Sequence, residues 1–166
     1  HMAAWPVAGL DDATAEKVRT HLQERLVALI DLQLTLKHVH WNVVGPNFIG
    51  VHEMLDPHVD TVREFTDEVA ERIATLGGQP IGTPGHVAST RTWEEYDVRR
   101  ASVETHLKAL DAVYSGLIGD HRRVMREFEE MDLVSHDMLV GQTEALEMQQ
   151  WFVRAHLANA DGQLPE

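Results

Sequence analysis

The sequence contains no cysteine among its 166 residues. This absence excludes disulfide bonds, thiol catalysis and thiolate-bound zinc or iron–sulfur clusters. Any metal site must therefore use imidazole nitrogen and carboxylate oxygen, the ligands that harder cations prefer.

Basic residues are scarce. The chain has 14 Lys and Arg against 27 Asp and Glu, for a formal charge of -13, which suits binding cations better than coating a polyanion. It also lacks an apolar run of membrane-spanning length and a basic-then-apolar leader, so we expect a soluble, cytoplasmic protein with no membrane contact. His1 and Met2 have the form of a tag remnant, and we expect the natural chain to begin at Met2.

The length is typical of one domain, and apolar residues at helical spacing predict four long helices and no strand. The first runs from Asp11 to Val39, with Asp11 or Asp12 as its cap. The second passes through Pro57, where we expect a kink or a lost hydrogen bond rather than a stop. The third covers residues 103–131 and the fourth begins near Asp132. The first helix carries a stripe of Val18, Leu22, Leu26, Leu29 and Leu36, flanked by Val27, Ile30 and Leu34.

The connection lengths predict the topology. A short link at 42–47 joins the first two helices and another joins the last two, whereas residues 77–92 form a long, glycine-rich connector in which Thr83-Pro84 can start a short helix. Two hairpins joined by one long crossover indicate an all-α, ferritin-like four-helix bundle. We expect the bundle to span 11–159, between tails at 1–10 and 160–166.

Two pairs of metal-ligand residues lie on the second helix, each spaced i,i+4. With His52 at zero, Asp56 falls near 40°, Asp67 near 60° and Glu71 near 100°, so all four share one arc about 100° wide. The pairs are separated by about 22 Å along the axis, too far to close around one ion. A second copy related by a two-fold axis would bring them together, and His40 is a further candidate ligand.

A metal site inside one bundle would use Glu three residues before His, and none of the eleven histidines is preceded by Glu at that position. We therefore expect no intrachain di-iron site. Spacing alone leaves another interpretation open, because paired carboxylates on a helix of an acidic protein are often only a solvated face.

Three segments resemble the signature of the Dps family (DNA-binding protein from starved cells), the miniature ferritins, and most closely its actinobacterial branch. These are His40-Trp41, NFIGVHEMLD at 47–56 and DEVAER at 67–72. The match is dense over about 35 residues, and the four-helix pattern extends it over nearly the whole chain.

The resemblance implies a hollow dodecamer that oxidises Fe(II), preferably with hydrogen peroxide rather than oxygen, and stores Fe(III) as mineral. It also implies which residues bind iron. One subunit would supply His40, His52 and Asp56, and its two-fold mate would supply Asp67 and Glu71.

The resemblance suggests roles for three more residues. Trp41 could absorb stray oxidising equivalents, or simply pack at the end of the first helix. Asp132 and Asp137 lie where the family lines an acidic iron-entry pore, although acids in a first turn also complement the helix dipole.

Two rival functions remain. One is a nucleoid protein that coats DNA, a role that rests on Lys and Arg contacts to phosphate. Residues 2–10 and 157–166 contain neither, so we do not expect this chain to bind DNA. The other is an inert shell, which would require an incomplete ligand set.

Overall fold

In a computed structural model, which describes residues 3–166, the chain forms five helices and one minimal sheet. The elements are α1 (Asp12–Asn42), β1 (Val43–Val44), α2 (Phe48–Thr75), α3 (Pro84–Thr90), β2 (Ala101–Ser102), α4 (Val103–Glu129) and α5 (Leu133–Leu157). The four long helices and the short helix in the crossover confirm the all-α, ferritin-like fold.

The helices pack as two hairpins. α1 packs along α2 and α4 along α5, and the hairpins meet mainly through α1 with α4 and α2 with α5. Leucines of the predicted stripe fill the centre: Leu22, Leu29 and Leu36 are fully buried. Each such side chain contributes about 1.5–3 kcal/mol to stability through loss of contact with water.

Local sequence explains where the helices begin. Asp11 caps α1 by accepting a hydrogen bond from the Thr14 amide, and Asp132 caps α5 by accepting from the amides of Val134 and Ser135. α2 continues through Pro57 without interruption, so the predicted persistence of the helix is confirmed.

Two features differ from the expectations. β1 and β2 form a parallel two-residue ladder that ties the end of α1 to the start of α4, although the sequence shows no strand-like alternation. Leu34, placed beside the buried stripe, is 61% exposed because it lies on the face of α1 turned away from the other helices of this chain. No helix within residues 3–166 is long and apolar enough to cross a membrane.

Candidate metal centre

The α1–α2 link forms the floor of the candidate site. Gly45 and Asn47 both adopt positive φ, which glycine and asparagine tolerate, and the chain reverses within five residues. This tight reversal places the last turn of α1 against the first turn of α2, so His40 and His52 face each other.

The two imidazoles are stacked, with ring centroids 3.6 Å apart and planes at 15°. His40 Nδ1 lies 2.6 Å from the carbonyl oxygen of His52, and His52 Nδ1 lies 2.8 Å from the carbonyl oxygen of His40. A carbonyl oxygen can only accept, so both Nδ1 atoms carry hydrogen and donate. In the neutral rings, both Nε2 atoms then keep the lone pair that a metal ion requires.

Asp56 completes this group. One of its oxygens lies 3.6 Å from His40 Nε2 and accepts a hydrogen bond from the Lys37 ammonium at 2.9 Å. That hydrogen bond from Lys37 lowers the pKa of the Asp56 carboxyl, so the group is ionised at neutral pH. One chain therefore brings together two imidazole nitrogens and one carboxylate.

Asp67 and Glu71 lie further along α2. Both side chains are exposed, and neither makes a hydrogen bond or ion pair with any described residue. Within residues 3–166, no group of three or more His, Asp or Glu side chains is arranged to hold a metal ion, so His40, His52 and Asp56 lie near one another without forming a complete metal site. The chain thus presents the five predicted ligands as two separate groups: His40, His52 and Asp56 in one, and Asp67 and Glu71 in the other.

The other predicted residues have distinct surroundings. Trp41 is 69% exposed, so it does not pack in the core of this chain, and the Lys37 ammonium lies 5.7 Å from its ring centroid. Asp132 accepts a hydrogen bond from Arg72 at 2.8 Å in addition to capping α5. Asp137 is exposed.

The interior of the bundle holds a layer of polar side chains. His121 donates from Nε2 to Gln142 at 3.1 Å, and its Nδ1 faces the Arg25 guanidinium at 3.4 Å. Gln142 in turn donates to Glu68 at 3.0 Å. Both nitrogens of His121 are thereby engaged, and burial followed by the Arg25 charge lowers its pKa to about 4.

Sequence reasoning missed the role of Lys37. It lies three residues before His40 and four before Trp41, on the same face of α1, so helical spacing could have identified it. The mutual hydrogen bonds of His40 and His52 had no signal in the sequence, because they depend on the shape of the α1–α2 link.

A model of the ferritin-like domain matches residues 19–162. Together with the two hairpins and the imidazole–carboxylate group, this match defines the chain as a ferritin-like protein.

More specific similarity comes from relatives. The DNA protection during starvation protein of Mycolicibacterium smegmatis is 56% identical over 163 residues, covering 98% of this chain and 89% of that protein. The tetragonal form of Mycobacterium smegmatis Dps superposes with a TM-score of 0.95 at 56% identity, covering 98% and 99% of the two chains. DpsA14 from Streptomyces coelicolor does so with a TM-score of 0.95 at 49% identity over all of both chains. The chain belongs to the Dps family of miniature ferritins.

Proposed function

We propose that this protein oxidises Fe(II) to Fe(III), preferably with hydrogen peroxide, at sites shared between two subunits, and stores the product as mineral inside a shell of twelve chains. By consuming iron and peroxide together, it limits oxidative damage. Iron is the substrate and the cargo of this reaction.

The orientation of His40 and His52 carries the proposal. Two neighbouring rings are both held in the tautomer that leaves Nε2 without hydrogen, and Nε2 of His40 lies beside the ionised carboxylate of Asp56. A histidine that is only part of a solvated surface needs no such fixed tautomer. Two imidazoles with hard carboxylates bind Fe(II) and tolerate the harder Fe(III) product. The absence of thiolate protects the site from oxidising itself.

The separation of the ligand groups supports a site between subunits. His52 and Asp67 lie 15 residues apart on one continuous helix, about 22 Å, so the groups of one chain cannot meet. An antiparallel second copy about a two-fold axis would pair each group with its complement. Exposed apolar side chains occur along residues 34–49, the stretch that contains His40 and leads to His52, as expected of a surface that another subunit covers. They are Leu34, Trp41, Val44, Phe48 and Ile49.

Two Fe(II) ions held close together supply the two electrons that one hydrogen peroxide molecule accepts. Each Fe(II) gives one electron, and hydrogen peroxide with two protons becomes two molecules of water. Delivery of both electrons to one peroxide avoids the one-electron step that releases hydroxyl radical. The role of the protein is to hold both ions at one place.

A closed shell is consistent with the charge of the chain. Each subunit carries a formal charge of -13, which a cage tolerates if cations fill its interior and solvent screens its exterior. Asp132 and Asp137 are our candidates for the acidic entry pore. Light scattering at neutral pH and moderate salt is expected to give about twelve times the chain mass of 18.7 kDa; monomer or dimer alone would contradict the proposal.

The decisive experiment is complementation between two inactive variants. The change His40→Ala with His52→Ala removes one ligand group, and Asp67→Asn with Glu71→Gln removes the other. Each variant alone is expected to lose peroxide-driven iron oxidation, followed by ferric absorbance, while its shell remains assembled. When equal amounts are unfolded and reassembled together, about one quarter of the sites receive both intact groups if the site lies between subunits.

Recovery of about one quarter of wild-type activity therefore supports the shared site. A site within one chain gives no recovery, which would refute it. A control with His86→Ala and His156→Ala, which removes two histidines outside both groups, is expected to keep full activity. Anomalous scattering at the iron edge from iron-soaked crystals provides an independent measurement.

The alternative function is to coat DNA, and the name of the Mycolicibacterium smegmatis relative, DNA protection during starvation protein, points to DNA. We propose that any protection of DNA by this chain acts through iron and peroxide, because the segments flanking its bundle carry no Lys or Arg. An inert shell does not account for the fixed orientation of the His40 and His52 rings.

A further inference from the structure

A second arrangement of aromatic and imidazole groups lies where the crossover meets α4. Tyr96, on the crossover, places its phenol oxygen 2.8 Å from Nδ1 of His106. The rings are nearly parallel, at 12°, with centroids 5.9 Å apart. His106 is fully buried and Tyr96 is 8% exposed, so the contact is shielded from solvent.

The hydrogen positions follow from the neighbours of His106. Its Nε2 lies 2.7 Å from the carbonyl oxygen of Arg99, which can only accept, so Nε2 carries hydrogen. Burial lowers the pKa of His106, which keeps the ring neutral, and Nδ1 is then a lone pair facing the phenol. Burial also raises the pKa of Tyr96, so its proton is in place. The hydroxyl lies closer to Nδ1 of His106, at 2.8 Å, than to the backbone carbonyl oxygen of the same residue, at 3.2 Å, and donates to Nδ1.

The only other tyrosine provides a contrast. Tyr114 is fully buried and donates its hydroxyl hydrogen to the side-chain oxygen of Gln149 at 2.8 Å. An amide oxygen is too weak a base to take up that proton, whereas a neutral imidazole is suited to do so. Of the two buried tyrosines, Tyr96 is thus the one whose hydroxyl lies next to a group that can take up its proton, the imidazole of His106.

The Tyr96–His106 pair lies beside the last turns of α1, which carry His40, one of the proposed iron ligands. The ring of His38, two residues before His40, meets the Tyr96 ring edge-on with centroids 5.6 Å apart. The β1–β2 ladder fixes this end of α1 against the start of α4. Trp41 is less suited to losing an electron, because the Lys37 ammonium beside its ring opposes the developing positive charge.

We propose that Tyr96 is a built-in one-electron donor, with His106 as its proton acceptor, that quenches hydroxyl radical formed when a single Fe(II) reduces peroxide. This inference rests on the proposed iron chemistry. Hydroxyl radical gains one electron and becomes hydroxide. Tyr96 loses that electron, and its phenolic proton moves to Nδ1 of His106. A further Fe(II) then returns an electron to the tyrosyl radical, the proton returns from His106, and Fe(III) is the product.

The test has two arms, both using the assembled protein and freeze-quenched electron paramagnetic resonance with deuterium-labelled tyrosine. In the first arm, iron-free protein is oxidised by photogenerated ruthenium tris-bipyridine(III). In the second, it receives Fe(II) at less than one ion per site and then peroxide. Wild type and Tyr114→Phe are expected to give the same tyrosyl signal in both arms, and Tyr96→Phe is expected to lose it.

The variant His106→Asn separates a chemical role from a structural one. Asparagine can accept the phenol hydrogen bond but cannot take the proton, so the signal is expected to fall at least tenfold while circular dichroism and shell size stay unchanged. A full tyrosyl signal in Tyr96→Phe, or its loss in Tyr114→Phe, overturns the proposal. So does an unchanged signal in His106→Asn.

The arms distinguish this inference from the proposed function. If wild type forms the Tyr96 radical in the first arm but oxidises no iron in the second, the iron chemistry is wrong and the proton-coupled pair stands. If iron is oxidised normally but no Tyr96 radical forms in either arm, the inference is wrong and the iron chemistry stands. A radical in the first arm only, with normal iron oxidation, also refutes quenching by Tyr96.

Discussion

Asp132 offers a direct test of how much of the acidic pore region is structural. It caps α5 and receives a hydrogen bond from Arg72, and the side chains of the two residues are only 9% and 17% exposed. Asp137, one turn later in the same helix, is exposed. Both are candidates for the entry pore, but they differ in what they contribute to stability.

The expected magnitudes follow from these contacts. Asp132→Ala removes the cap, worth about 1 kcal/mol, and leaves the half-buried Arg72 without its carboxylate, at about 1.5 kcal/mol more. We expect a total loss of about 2–3 kcal/mol, or roughly 4–12 °C in Tm for a chain of this length. Asp132→Asn keeps the cap and is expected to lose about half as much. Asp137→Ala is expected to change stability by about 0.5 kcal/mol or less.

Stability should also depend on pH with a defined sign. Burial raises the pKa of Asp132, but hydrogen bonds from Ser135 and Arg72 outweigh it and hold the pKa below its usual value. The ion pair therefore contributes fully above about pH 4, the ordinary value for Asp, and its contribution is lost as pH falls through the lowered value. The difference between wild type and Asp132→Asn is expected to shrink in the same range.

The assay is denaturant and thermal unfolding of all variants at one protein concentration, since assembly adds to apparent stability. Initial rates of iron uptake into assembled shells give the second readout. If both acids line the pore, both alanine variants slow uptake, but only Asp132→Ala unfolds earlier. Equal stability of the two alanine variants, or a difference between wild type and Asp132→Asn that does not decline as pH falls below about 4, would show that the Arg72 contact contributes nothing.

Three further outcomes are expected. The pKa of His121 is lowered to about 4, so on acidification the unfolded chain takes up a proton before the folded chain does. Up to about 3 kcal/mol of the free energy of unfolding is therefore present above about pH 6.5 and lost by pH 4. His121→Gln should show a flatter dependence of unfolding midpoint on pH, and an unchanged slope would contradict this. Lys37→Met removes the cation that competes with Fe(II) for Asp56, so calorimetric titration should show several-fold tighter Fe(II) binding. The control is Lys108→Met, which removes an exposed lysine paired with Glu104 and should leave Fe(II) binding unchanged. No retarded band is expected when the chain is mixed with duplex DNA above pH 7.5 at physiological salt, because residues 2–10 and 157–166 carry no Lys or Arg. A retarded band should first appear on acidification, as histidines gain charge. A salt-sensitive band above pH 7.5 would contradict this and identify a basic surface patch.

Periodicity predicted the fold well because helix burial repeats every three to four residues. The short crossover helix was found at Thr83-Pro84 because proline favours the first turn. Leu34 was assigned to the wrong environment for the same reason, since the spacing of apolar residues does not tell which of them face another helix of the chain.

The site could be predicted only as a set of residues. His40, His52 and Asp56 lie near one another, and the role of all five residues as ligands of a shared site stays a prediction. The sequence did not predict which atoms of these side chains are free to bind a metal ion or to exchange a proton. The free Nε2 of each imidazole depends on a carbonyl across a turn, and the Tyr96–His106 contact joins a crossover to a helix. Such pairs follow no spacing rule.

All five candidate ligands lie on the α1–α2 hairpin, and α4 and α5 supply none. Under the proposed iron chemistry, the α1–α2 hairpin is therefore the reactive half of the chain and the α4–α5 hairpin is the supporting half. Saturation mutagenesis selected for iron oxidation should find strict chemical identity at a few positions of residues 40–71, where asparagine cannot replace aspartate. Along 103–157 it should find tolerance of any side chain of suitable size and polarity, apart from His106 and the two pore candidates, Asp132 and Asp137. An engineer could therefore graft a different second hairpin onto this reactive half, provided that the replacement restores the buried surface of α1 and α2.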